Sequence, residues 1–234
     1  MATAMIQHDP DEFRRGNVLG SSGVLAKLAD TSFSKILQSS KLYIVKRLVA
    51  LDLGNTIAVL GAGRVRIARS NDTGHVRWVV SDFRRPGDLV GEEILVGPPL
   101  GNEYMMAELG EVVLIPREVL AELLSTDIGF TRAFLKYTAR HRFRMQSRFE
   151  ALLTRTIESR IAAFLLEEAQ RDGVRTGSGI RLRWKYTHEE MASYIGSTRE
   201  TLTSTLGVFK RAGLIRFERR YVVVIDREAL ESRS

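Results

Sequence analysis

Arg199, Glu200, Thr203 and Ser204 place a five-donor guanidinium fork, an acceptor-only carboxylate and two small hydroxyls in one short stretch. On a helix these positions share the outer side of the opening turns. Those are the positions that reach base edges when a recognition helix lies in a DNA major groove. Around them stand Thr187, His188, Thr198, Thr201, Arg219 and Arg220, side chains suited to phosphate oxygens.

The elements that would position these groups are legible nearby. Thr187 lies three residues before Glu190, the spacing of a capping box, so a helix should begin there. Met191, Ala192 and Ile195 give that helix an apolar stripe, and Gly196 supplies a residue free to take positive φ at a sharp turn. Thr198 can cap a second helix, whose Leu202, Leu206 and Phe209 recur at near-helical spacing and face the first. Gly213-Leu-Ile215 ends it. Two short β-type runs follow, Arg216-Phe217 and Tyr221 to Ile225, with Glu218-Arg219-Arg220 as a polar tip between them. This pattern predicts a winged helix-turn-helix. Some helix-turn-helix units bind no DNA, but basic residues on both the second helix and the wing tip favour a polyanionic partner.

Thr198-Arg-Glu-Thr-Leu202 followed by Ala212-Gly-Leu-Ile215 resembles the DNA-binding end of the CRP/FNR family of bacterial transcription regulators. The resemblance implies an α+β fold: a cyclic-nucleotide-binding-like β-roll over residues 24–125, a dimerisation helix over 126–152 and a winged helix-turn-helix over 153–234. Residues 1–23 lie outside it and are expected to be a flexible N-terminal segment. It further implies a homodimer acting on palindromic double-stranded DNA, with RNA polymerase as a protein partner. A family position just after the glutamate often carries a base-reading arginine; Thr203 and Ser204 stand there instead, so site preference should differ from that of the cyclic-AMP receptor.

The expected roll shows β-prone runs at 43–48, 57–60, 64–68, 76–80 and 112–115, with Asn71-Asp-Thr-Gly74 as a hairpin turn. Gly61 to Ile67 resembles a turn and strand of the family's roll, and Arg85-Pro-Gly-Asp-Leu-Val-Gly-Glu92 resembles the segment leading into its nucleotide pocket. Gly91 and Glu92 would open that pocket. In the cyclic-AMP-binding members an Arg-Ser pair follows a short way downstream, yet Val96 to Met105 contains no arginine or lysine. Burying a phosphate without a cation is costly, and Glu92, Glu93 and Glu103 add repulsion. A vestigial or repurposed pocket is therefore expected, with regulation independent of cyclic AMP; the alternative is a metabolite- or gas-sensing regulator whose roll holds another small ligand.

Residues 126–170 contain no proline and form a helical run long enough for two helices. Phe134, Thr138, His141, Met145, Arg148 and Leu152 repeat at alternating steps of four and three, which predicts a dimer seam. A single amphipathic helix packed on its own domain is the competing reading. Arg140, Arg142, Arg144 and Arg148 form a dense basic set, solvated or open to an acidic partner. Residues 154–169 should form the first helix of the winged domain, with 171–179 as a loop before a strand at 180–184.

Whole-chain quantities narrow the classes. The 234 residues carry a net charge of +7, which favours nucleic acid or an anionic surface. No run approaches the roughly 20 apolar residues of a membrane span and the first residues lack an apolar signal core, so a cytoplasmic protein is expected. The absence of cysteine excludes disulfides and cysteine-held zinc or iron–sulfur clusters. The isolated His75 and His141 argue against haem, and no catalytic set, metal cluster or phosphate loop is visible, so neither cofactor, metal nor enzymatic activity is expected.

Overall fold

A computed structural model describes residues 5–7, 12–70, 78–98, 100–183, 186–219 and 221–234. The chain divides into two compact units, Met1–Phe143 and Arg144–Ser234.

In the first unit β1 (Met5–Gln7), α1 (Glu12–Ser21) and α2 (Asp30–Ser39) precede the strands β2 (Lys41–Val45), β3 (Val49–Ala50), β4 (Thr56–Ala62), β5 (Val65–Ser70), β6 (Trp78–Arg84), β7 (Leu89–Val90), β8 (Glu103–Met106) and β9 (Gly110–Pro116). Helix α3 (Arg117–Thr126) and α4 (Ile128–Thr154) follow, and α4 continues into the second unit. The strands form two sheets, in orders β1-β2-β9-β4-β7 and β3-β8-β5-β6. β4 and β9 pair antiparallel, and their side chains alternate between two apolar clusters. Ile57, Val59, Val113 and Ile115 join a cluster with Val18, Leu19, Ile36, Leu120, Phe130 and Phe134 of the helices. Ala58, Leu60 and Val112 point the other way, to Val65 and Met106 of the second sheet. With both faces buried, these strands read as continuous apolar runs and lack the polar alternation of a half-exposed strand.

The described part of the expected flexible segment, residues 5–7 and 12–23, is ordered against the strands. Met5–Gln7 pairs with β2, and α1 buries Val18 and Leu19 in the core. Gly61 explains part of this contact: a β-carbon there would lie 2.5 Å from Val18 Cγ2, so the missing side chain lets α1 sit directly on β4. The expected strands appear with shifted ends, and β3, β7, β8 and the helices α1, α2 and α3 add to them.

The second unit contains α5 (Ile157–Asp172), β10 (Val174–Thr176), β11 (Gly179–Arg183), α6 (His188–Ile195), α7 (Arg199–Arg211), β12 (Ile215–Glu218), β13 (Tyr221–Val224) and α8 (Arg227–Glu231). Its sheet runs β10-β11-β13-β12. The helical run ends at Thr154 and restarts at Ile157, where the Thr156 side chain accepts from the Ser159 N–H. Ile161, Phe164 and Leu165 of α5 are buried as expected, whereas Ile157 is only half-buried. The expected loop at 171–179 contains β10, which pairs with β11. Among the described residues no helix is long and apolar enough to cross a membrane.

Candidate nucleic-acid interface

Local chemistry sets the two helices of the interface. Thr187 Oγ1 accepts from the Glu190 N–H at 3.1 Å, and Glu190 Oε2 accepts from the Thr187 N–H at 3.0 Å, the reciprocal capping box. Met191, Ala192 and Ile195 are buried. Gly196 then adopts φ 74°, and a β-carbon there would fall 2.5 Å from Leu152 Cδ2, so both conformation and space demand glycine. Arg160 Nη1 donates to the Ile195 carbonyl at 2.7 Å, closing the end of α6 by a contact that sequence spacing does not reveal. Thr198 caps α7 by accepting from the Thr201 N–H at 3.1 Å, and the two hydroxyls lie 3.0 Å apart.

α7 buries Leu202, Leu206 and Phe209 and leaves Arg199, Glu200, Thr203 and Ser204 exposed on its outer side. Thr187 and Thr198 are exposed beside them, while Thr201 and His188 are half-buried. His188 lies across from α7, with Nδ1 2.9 Å from Thr203 Oγ1, so α6 and α7 share a side-chain contact on this surface. Burial, and then the charge of Arg199, hold the His188 imidazole below its ordinary pKa.

The wing is β12 and β13, with Glu218 paired to Tyr221. Arg219 sits between them, exposed, with φ 44°, a left-handed conformation that a non-glycine residue adopts only at a cost. Arg220, the hairpin expected at Asn71–Gly74, and His75 lie outside the described residues.

The expected pocket opening has a different content from the one its sequence suggests. Gly91 takes φ 83° and Glu92 begins a short 3-10 turn, but the cation sought between Val96 and Met105 comes from β6 instead. Arg84 is buried, and its Nη2 donates to Glu92 Oε1 at 2.6 Å. Its Nη1 donates to Tyr137 Oη at 3.2 Å and meets both ring nitrogens of His141, and Asp82 Oδ2 lies 3.5 Å from its Nε. Burial pushes the Glu92 carboxyl up against the attraction of Arg84. Burial also acts to raise Asp82, but the hydrogen bond with His141 and the charge of Arg84 outweigh it and hold that carboxyl down. His141 is thus a member of this polar cluster, ring to ring with Tyr137 at 4.3 Å.

The residues of the expected seam differ in burial within the chain. Phe134 is 7% exposed, inside the apolar core, and His141 faces Arg84. Arg148 stacks its guanidinium 4.3 Å from the Tyr194 ring centre, and Leu152 lies against Gly196. Of the six expected residues, Thr138 and Met145 remain on the outward side, Thr138 half-buried and Met145 exposed. The exposed apolar side chains of α4 are Ile128, Leu135, Phe143, Met145, Phe149 and Leu153. Ile128, Leu135 and Phe149 share a seven-residue spacing with Arg142 in the intervening position, one residue after the row the pattern first suggests.

Residues 159–233 match the family model of the Crp-like helix-turn-helix domain. The CRP-like cAMP-activated global transcriptional regulator of Mycobacterium tuberculosis is 27% identical over 183 residues, covering 77% of this chain and 80% of its own. Among solved structures, a transcriptional regulator of the CRP family from Thermus thermophilus is 26% identical with a TM-score of 0.68, covering 81% of this chain and 95% of its own. A CooA variant from Carboxydothermus hydrogenoformans shares the fold at 19% identity, with a TM-score of 0.74 over 98% of both chains.

Proposed function

We propose that this chain, a CRP/FNR-type DNA-binding transcription regulator, acts as a homodimer on palindromic sites and does so without cyclic AMP. The observation that carries the reading is the open face of α7, where Arg199, Glu200, Thr203 and Ser204 are exposed together beside the capped start of α6. Arg199 donates to guanine or phosphate, Glu200 accepts from cytosine, and Thr203 and Ser204 meet neighbouring base edges. Thr187, His188, Thr198, Thr201 and the wing arginines Arg219 and Arg220 hold the phosphates and fix the register.

The homodimer rests on the exposed apolar row of α4, with Leu135 60%, Phe149 62% and Leu153 72% exposed in one chain. A second copy would cover the same row isologously. Independence from cyclic AMP rests on Arg84, whose guanidinium is committed to Glu92, Asp82, Tyr137 and His141. The bound dimer acts in the cytoplasm, carries out no catalytic step and takes RNA polymerase as its protein partner.

Selection from random DNA with the purified, nucleotide-free protein tests this reading. It should return imperfect palindromes with half-sites about 34 Å apart, bound with a dissociation constant near 10⁻⁸ M or tighter at moderate salt. A single asymmetric half-site would overturn the dimer.

A second reading has one observation in its favour: the Mycobacterium tuberculosis relative is described as cAMP-activated. On that reading the roll gates DNA binding through a metabolite or a gas, and its signature is a ligand-induced gain in DNA affinity.

A further inference from the structure

Thr203 has its hydroxyl committed inside the protein. Oγ1 donates its single proton back to the Arg199 carbonyl at 2.7 Å, one turn earlier on α7. The contact of 2.9 Å to His188 Nδ1 must then run the other way, with Nδ1–H donating to Oγ1. This fixes the proton of His188 on Nδ1, and the arrangement survives protonation of the ring because Nδ1 is a donor in both forms. The hydroxyl retains no proton to offer a base acceptor. Both partners draw Oγ1 toward the helix backbone and α6, so the γ-methyl takes a different staggered position on the exposed side chain.

We propose that His188 is a positioning residue that makes Thr203 an apolar reader, whose γ-methyl packs against the C5-methyl of a thymine in each half-site. The inference rests on α7 being the reading helix. It adds a base preference that hydroxyl chemistry alone does not predict, because a free threonine hydroxyl would accept or donate at several base edges. Ser204 differs in this respect: it carries no γ-methyl, so methyl recognition belongs to Thr203.

The test replaces each thymine of the selected palindrome by uracil, which removes only the C5-methyl. One position per half-site should lose about fourfold in affinity for the wild-type protein, the weight of one buried methyl or methylene group. Thr203→Val keeps methyl groups and lacks the hydroxyl, so it should keep the thymine preference. Thr203→Ser keeps the hydroxyl and lacks the methyl, so it should bind thymine and uracil sites equally. His188→Ala should bring the thymine-to-uracil ratio toward one, and this ratio is independent of any uniform loss from a missing phosphate contact. Tight palindrome binding with no thymine sensitive to uracil would overturn the inference and leave the assignment of α7 standing. Retention of the preference in Thr203→Ser with its loss in Thr203→Val would overturn it too, since the hydroxyl would then be the reader. If the selected DNA is bound without any contribution from α7, with Glu200→Ala neutral at every base pair, the underlying reading fails instead.

Discussion

Arg84 and Glu92 form a buried ion pair, Nη2 to Oε1 at 2.6 Å, with both side chains largely withdrawn from water. The glutamate that would open a nucleotide pocket is neutralised from within the chain. The pair also ties the roll to α4, because the same guanidinium reaches Tyr137 and His141, and Tyr137 Oη accepts from the Leu89 N–H at 2.9 Å.

Added cyclic AMP should therefore change affinity for the palindrome little, as read by fluorescence anisotropy. A tightening of tenfold or more, about 1.4 kcal/mol of coupling, would place the protein among nucleotide-gated regulators. Arg84→Ala should cost roughly 3–5 kcal/mol of stability in urea denaturation, because Glu92 would be left buried without its partner.

Two phenylalanines on α4 should behave oppositely. Phe134→Ala removes a core side chain and should cost about 3–5 kcal/mol of stability. Phe149→Ala removes an exposed one and should weaken self-association in sedimentation experiments while leaving the protomer folded. Unfolding must be followed at several protein concentrations, since dimerisation itself raises apparent stability. Unchanged association in Phe149→Ala together with weakened association in a folded Phe134→Ala would restore the seam first suggested by the spacing.

Variants of Glu200 and Arg219 should separate reading from positioning. Glu200→Ala should lose about 1–3 kcal/mol of discrimination at one C·G pair with little change in salt dependence. Arg219→Gly should weaken binding to all sequences alike and reduce the salt slope by about one, while stabilising the free protein by about 1 kcal/mol through relief of its left-handed φ. Thermal melts and salt titrations of the two variants check both halves; a loss of stability in Arg219→Gly would contradict the strain argument.

His188 gives a pH dependence of defined sign. Its folded pKa lies below the ordinary 6.5, held down by burial and then by Arg199. Above that ordinary value both folded and unfolded states carry a neutral ring, and the contribution to stability is fully present. As pH falls below it the unfolded chain takes up the proton first, and the contribution is lost as pH passes through the folded value. His188→Gln should remove this part of the acid sensitivity in urea melts at successive pH values. A phosphate beside the ring acts in the opposite sense, so DNA affinity of the wild type should rise over the same interval.

Sequence alone determined those features that depend on neighbours a few residues apart. Thr187 with Glu190, Gly196, Thr198 and the apolar steps from Leu202 to Phe209 define the caps, the turn and the buried side of α7, because capping and helical periodicity are local. Its exposed face follows from the same count. The role of Arg84 was decided by tertiary structure, since Glu92, Tyr137 and His141 meet it only when β6, the turn after β7 and α4 pack together. The burial of the expected seam residues was decided there as well. Phe134 and Leu135 are adjacent apolar residues that suit two neighbouring rows of one helix, and burial of Phe134 with Phe130 against the sheet is what turns Leu135 outward. A heptad pattern defines a stripe but does not say which partner covers it. Packing of the helix on its own domain takes Phe134 out of that stripe, because each side chain can be buried on only one side.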